Sequence, residues 1–181
     1  FTQRPDPTIM GAFSGLEIAC WDILGKSLNQ PICNLLGGKI RNSLRSYTYL
    51  YPKGQQSEAD FYSSPALSAE AARVAIDKGF TAIKFDPAGP YTIFDGHQPS
   101  LGDLELSEEF CRLIRSKVGN QADLLFGTHG QFTPSGALRL AQRLEKYSPL
   151  WFEEPIPPDS SRNMQLVAAN TSIPIATGER L

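Results

Sequence analysis

The sequence is poor in several features that would have placed it at once. It has only three cysteines, Cys20, Cys33 and Cys111, among 181 residues. They are far apart, odd in number and form no CxxC pair, so reduced, buried thiols are expected rather than a disulfide framework. No apolar run approaches the roughly 20 residues of a membrane span. The opening FTQRPDPTIMGAF has neither the charged start nor the apolar core of a signal peptide, so a cytoplasmic protein is expected. An excess of one charge is missing too. Seventeen Lys and Arg against 19 Asp and Glu leave a net charge of −2, and the one tight basic group is Lys39, Arg41 and Arg45. That balance gives no electrostatic argument for nucleic acid or a membrane as partner. With only two histidines in the chain, His97 and His129 each invite a question.

The remaining composition, 41% hydrophobic and 20% charged, suits a globular protein of one or two domains. The first segment reads as helix: Phe13, Leu16, Cys20, Ile23 and Leu24 recur at helical spacing. Gly11, Ala12, Ser14, Gly15 and Ala19 would let a neighbouring helix approach closely. Pro31 opens a second short helix that Gly37-Gly38 closes. Beyond it the pattern turns to strand and helix in alternation. Strands are expected at 46–51, 80–86, 122–126, 150–154 and 173–177. Helices are expected at 68–78 (with Ser68 as N-cap), 104–118, 134–146 and 160–169. Residues 87–102 read as a loop rich in Gly, Pro and aromatics, in which Tyr91 and Phe94 could wall a pocket or equally well pack on the surface, and His97 reads as incidental.

Strict alternation implies parallel βαβ units, and strands starting about 25 to 40 residues apart match their size. A doubly wound sheet and a barrel share this local pattern. Polar residues favour the barrel, because Lys84/Asp86, Thr128/His129, Glu153/Glu154 and Glu179/Arg180 all stand at strand ends. Barrel enzymes assemble their sites from several strand ends, whereas a doubly wound fold more often shows one dominant Gly-rich loop, absent here.

Trp151-Phe-Glu-Glu-Pro155 carries the most chemistry. Carboxylates at a strand mouth repel one another unless a cation or proton is shared. Ala176-Thr-Gly-Glu179 ends the next strand with another acid, and Glu153 and Glu179 on neighbouring strands could hold a hard cation such as Mg²⁺. The alternative is that these glutamates cap helices or pair with Arg162 and Arg180. His129 could act as general acid or base, or be a hydrogen-bonded structural histidine. Lys84 lies in an otherwise apolar strand, where an unpaired ammonium is costly. Asp86 or a carboxylate across the barrel is its expected partner.

Taken together these stretches resemble the mandelate racemase/muconate lactonizing enzyme branch of the enolase superfamily. Ala-Cys-Trp-Asp-Ile-Leu-Gly-Lys (19–26), Pro31 and Leu-Leu-Gly-Gly-Lys (35–39) are similar to the end of its capping domain. Gly79 to Asp86, Trp151 to Pro155 and Ala176 to Arg180 are similar to its second, fourth and fifth barrel strands. The resemblance implies a partial (β/α)₈ barrel over 43–181, preceded by the C-terminal helices of an α+β capping domain over 1–42. It implies abstraction of the proton α to a carboxylate, with Mg²⁺ stabilising the enediolate. Among family activities a sugar-acid dehydratase is favoured, with Lys84 and His129 catalytic and Glu153 and Glu179 metal-binding. A racemase, epimerase or cycloisomerase is the alternative, and so is a degenerate, non-catalytic homologue. The partners implied are a small carboxylate substrate and, in the complete protein, further copies of itself.

Two departures stand out. In Leu125-Phe-Gly-Thr-His-Gly130, Gly127 occupies the place of the family's third metal ligand, an aspartate. Asp86 replaces a second lysine of the racemase pattern, which argues against a lysine base on that side. A full barrel needs about 250 residues, so the chain is expected to be part of a longer polypeptide that carries strands six to eight.

Overall fold

The computed structural model describes residues 6–88 and 96–179. By packing they form two units, one holding residues 6–45 with Glu179 and the other the described residues between 46 and 178.

The first unit is helical. Helix α1 runs Pro7–Ser27, its start fixed by Asp6, whose Oδ1 accepts from Thr8 N at 2.8 Å and Ile9 N at 3.1 Å. That side chain satisfies two of the backbone donors a helix start leaves open. The turn into α2, Ile32–Leu35, requires a glycine at 25, where a Cβ would come within 2.9 Å of Gln30 O. Cys20 on α1 and Cys33 on α2 are exposed, and only Cys111 is buried. The expectation of three buried thiols is therefore corrected. The physical reason is that α1 itself stands open, with Phe13, Leu16 and Ile23 each more than 60% exposed (62%, 69% and 66%).

The second unit holds the sheet. In chain order its elements are β1 (Thr48–Tyr49), α3 (Glu58–Tyr62), α4 (Pro65–Asp77), β2 (Ala82–Phe85), α5 (Leu101–Val118) and β3 (Asp123–Gly127). There follow α6 (Pro134–Leu144), a 3₁₀ turn (Glu145–Tyr147), β4 (Trp151–Glu153), α7 (Ser161–Ala169) and β5 (Ile175–Ala176). The five strands are parallel and stand in the order β1-β2-β3-β4-β5. Each strand lies beside its sequence neighbour, without the reversal of order that marks a doubly wound sheet. This is barrel winding, and it settles what periodicity left open.

Local signals place the helices. Ser100 and Asp103 form a reciprocal capping box at the start of α5, and Thr133 and Ser160 cap α6 and α7. The cap of α4 differs from expectation. Ser64 accepts from Leu67 N, with Pro65 in the first turn, whereas Ser68 is buried one turn inside the helix. Proline pre-sets the φ that a first helical residue needs, which moves the start four residues earlier.

Alternation of side chains across the strands divides the sheet into two faces. Ile83, Phe85, Leu124, Phe126 and Phe152 face the helices and join one core with Ala72, Phe110, Ile114, Leu140 and Leu144. Phe85, Phe126 and Phe152 run edge-to-face across β2, β3 and β4, with ring centroids 5.6 and 6.1 Å apart. Such pairs contribute about 0.5–1.5 kcal/mol each beyond their buried area. At the N-terminal end of the strands, Arg115 spends its guanidinium on backbone carbonyls: Gly119 O (2.8 Å), Ala122 O (2.9 Å), Tyr147 O (2.9 Å) and Ser148 O (3.3 Å). It thereby ties the approach to β3 to the approach to β4. Tyr91 and Phe94, which could wall a pocket or pack on the surface, lie outside the described residues. His97 is exposed, forms an isolated bridge with Phe132 and lies against its ring.

Candidate active site at the strand mouths

The face turned away from the helices carries Lys84, Leu125, Gly127, Trp151 and Glu153. Lys84 is level with Leu125, and Gly127 is level with Glu153. Lys84 therefore reaches its partner diagonally, across β3. Its Nζ lies 2.7 Å from Glu153 Oε1, with side chains only 11% and 17% exposed. The path crosses Gly127, where a Cβ would collide with Lys84 Cε and lie 3.1 Å from Cγ and 3.2 Å from Tyr49 Cε2. Glycine inside a strand often marks such a close approach. The ammonium also sits 5.6 Å from the centroid of the Tyr47 ring, within range of a cation–π attraction. Tyr47 in turn meets Trp151 edge-on at 5.7 Å. Trp151 Nε1 donates to Glu153 Oε2 at 3.1 Å, so both oxygens of Glu153 are engaged.

The neighbouring acid has a different task. Glu154 is completely buried and has a φ of +43°, a left-handed conformation that is strained for a residue with a Cβ. Its Oε1 accepts from Thr177 Oγ1 (2.8 Å) and Gly178 N (2.9 Å), which straps the end of β4 to the chain after β5. Thr128, also buried, donates its hydroxyl to Glu153 O at 2.5 Å. These ties hold His129, the next residue, at the mouth of β3. The backbone N–H of His129 donates to Gln131 Oε1 at 3.3 Å.

Gln131 also hydrogen-bonds Asp86, the residue after β2, and Ala88 N donates to Asp86 Oδ1 at 2.8 Å. The residue as a whole is half-buried, but Oδ2 is sealed from solvent and accepts no hydrogen bond among the described residues. Burial accordingly pushes the Asp86 carboxyl up to about 7, against which the Ala88 and Gln131 hydrogen bonds pull down. The sequence placed Asp86 at a strand end, as a replacement and as a possible partner of Lys84, and did not single out Tyr47, Trp151 or Gln131 as site residues. The period-2 pattern that puts Trp151 beside Glu153 and Tyr47 beside Tyr49 was the available signal.

Two matches with known families decide what this sheet belongs to. Residues 66–181 match the enolase C-terminal domain-like family, and residues 2–37 match the mandelate racemase/muconate lactonizing enzyme N-terminal domain. The chain belongs to the enolase superfamily. Within its mandelate racemase/muconate lactonizing branch, the chain is similar to D-xylonate dehydratase of Haloferax volcanii (35% identity over 180 residues, 96% of this chain and 41% of the relative). It is also similar to D-gluconate/D-galactonate dehydratase of Picrophilus torridus (34% over 172 residues, 94% and 41%). Among solved structures, it resembles a mandelate racemase/muconate lactonizing enzyme from Jannaschia sp. CCS1 (61% identity, TM-score 0.92, 100% of this chain and 47% of that one). A mandelate racemase/muconate lactonizing enzyme-like protein from Roseovarius sp. TM1035 is similarly close (59%, 0.93, 99% and 46%). The chain thus spans somewhat less than half the length of these relatives, and its parallel sheet is part of a (β/α)₈ barrel.

Enolase-superfamily sites generally use Mg²⁺. Of the three ligand positions the family pattern implies, Gly127 has no side chain, and the space a ligand would need is filled by Lys84. Glu153 already binds an ammonium and an indole N–H. Glu179 is exposed among the described residues. Among the described residues no three His, Cys, Asp or Glu side chains cluster to hold a metal. The residues as arranged do not fit a three-carboxylate cage. No helix among the described residues is long and apolar enough to cross a membrane.

Proposed function

We propose that the complete protein is a sugar-acid dehydratase. It would remove the proton α to the carboxylate and expel the β-hydroxyl as water, leaving an enol that tautomerises to a 2-keto-3-deoxy acid. The observation that carries this reading is the Lys84–Glu153 pair at the strand mouths, with His129 anchored two residues beyond Gly127. The dehydratase names of two relatives at 34–35% identity support it.

The roles follow from chemistry. The α-proton of a carboxylate is very weakly acidic, so positive charge must meet the dianion that forms as it leaves. Mg²⁺ is what the superfamily generally supplies for this. Of the family's ligand positions, Glu153 and Glu179 keep a carboxylate in this chain. The positive charge visible on the site face is Lys84. Hydroxide is a poor leaving group, and a proton donated by His129 turns it into water as the C–O bond breaks. The α-proton goes to a base that this stretch of chain does not identify. Asp86 in place of lysine speaks against a lysine base on β2.

The direct test is to incubate the complete protein with a panel of sugar acids and assay 2-keto-3-deoxy product. At least one acid should respond. Exchange of the α-proton with solvent deuterium, with no product from any acid, would replace this reading with a racemase or epimerase.

A further inference from the structure

We propose that the Lys84 ammonium, threaded across Gly127 onto Glu153, takes the place of the divalent cation in this chain. The inference rests on reading the strand mouths as the site, but it does not require that the reaction be dehydration.

The φ of Gly127 is not in the left-handed region that calls for glycine, so backbone conformation does not explain this residue. A close approach does. Any side chain at 127 would overlap Lys84 Cε, so the missing ligand and the position of the lysine are one feature. Lys84 is then held from two sides, by Glu153 Oε1 at 2.7 Å and by the Tyr47 ring at 5.6 Å. An ammonium has three N–H donors, and Glu153 is its one hydrogen-bond acceptor among the described residues. The remaining donors belong to a cation that is 89% shielded from water yet not fully satisfied, which suits it to receive an anionic ligand. Glu153, for its part, has both oxygens engaged, the second by Trp151. A Mg²⁺ ion on this carboxylate would sit about 2 Å from an oxygen and so within a few ångström of the ammonium. Two cations that close in a shielded site repel strongly. That repulsion disfavours both cations on Glu153 at once, and the geometry gives the carboxylate to Lys84.

The test is made on the complete protein, stripped with EDTA and titrated with MgCl₂ by calorimetry. Wild type should show no saturable Mg²⁺ binding. Lys84→Met should gain saturable, one-to-one Mg²⁺ binding, because it removes a competing charge, and Lys84→Met/Gly127→Asp should bind more tightly still. Saturable, one-to-one Mg²⁺ binding by wild type that Lys84→Met leaves unchanged or weakens would overturn the proposal. Thermal melting of wild type with EDTA or with Mg²⁺ needs no variant to fold. Equal melting temperatures support the proposal, and a clear rise with Mg²⁺ counts against it. The two readings fail separately. If no acid is turned over with or without Mg²⁺, the dehydratase reading falls, while the binding experiments still decide the role of Lys84.

Discussion

A Cβ at position 127 and the side chain of Lys84 cannot occupy the same space. Gly127→Ala should therefore do more than its single methyl suggests. Lys84 must swing away, and Glu153, 17% exposed at its side chain, loses its ion pair. Separating a buried pair fully costs about 3–5 kcal/mol. Partial exposure and the retained Trp151 bond reduce this to about 1–3 kcal/mol. Denaturant titration of the complete protein would check it. A change below about 0.5 kcal/mol would show that the lysine relocates freely.

Asp86 gives the protein a specific pH dependence. In the folded state its carboxyl holds the proton up to about pH 7, whereas in an unfolded chain it ionises near pH 4. Below pH 4 both states are protonated and the group has no effect. As pH rises from 4 through 7 the unfolded chain ionises first, so stability falls and the full cost is present above 7. Asp86→Asn removes this ionisation. It should stabilise the protein relative to wild type at pH 8 by on the order of 1–3 kcal/mol, and by much less at pH 4. Unfolding free energies at the two pH values decide the matter, and an equal difference at both would refute the buried acid.

Arg115 should matter for stability alone. Its carbonyl partners lie at the N-terminal end of the strands, the end that in barrels serves stability rather than catalysis. Arg115→Ala leaves several carbonyls without their charged donor and should cost about 2–3 kcal/mol. On a responsive acid, kcat/KM at a temperature where the variant is folded should stay within about twofold of wild type.

His129→Asn separates two roles on one strand. An acid acting on the leaving group contributes on the order of 10²- to 10⁴-fold. The variant should lose dehydration by about that factor and keep α-proton exchange with deuterated solvent. Loss of both, with the fold intact, would make His129 the base. Loss of neither would make it a structural residue.

Much of this protein was legible in its sequence because the relevant physics is local. Alternating strand and helix patterns, Ser, Thr and Pro at helix starts, and apolar residues at the two periods are near-neighbour signals, and they located the five strands. A missing side chain is also legible, so Gly127 stood out against the family pattern. What only the tertiary structure decided depends on register between distant segments. Lys84 and Glu153 are 69 residues apart, and only the diagonal across β3 chooses Glu153 over Asp86 as the partner of Lys84. Glu153 and Glu154 are adjacent and chemically identical, yet one faces the ammonium and the other straps β4 to Thr177. Period-2 alternation says they must point to opposite faces, but not which face holds the site. The sealed Oδ2 of Asp86 likewise comes from chain packed around it, and no local pattern in the sequence records that enclosure.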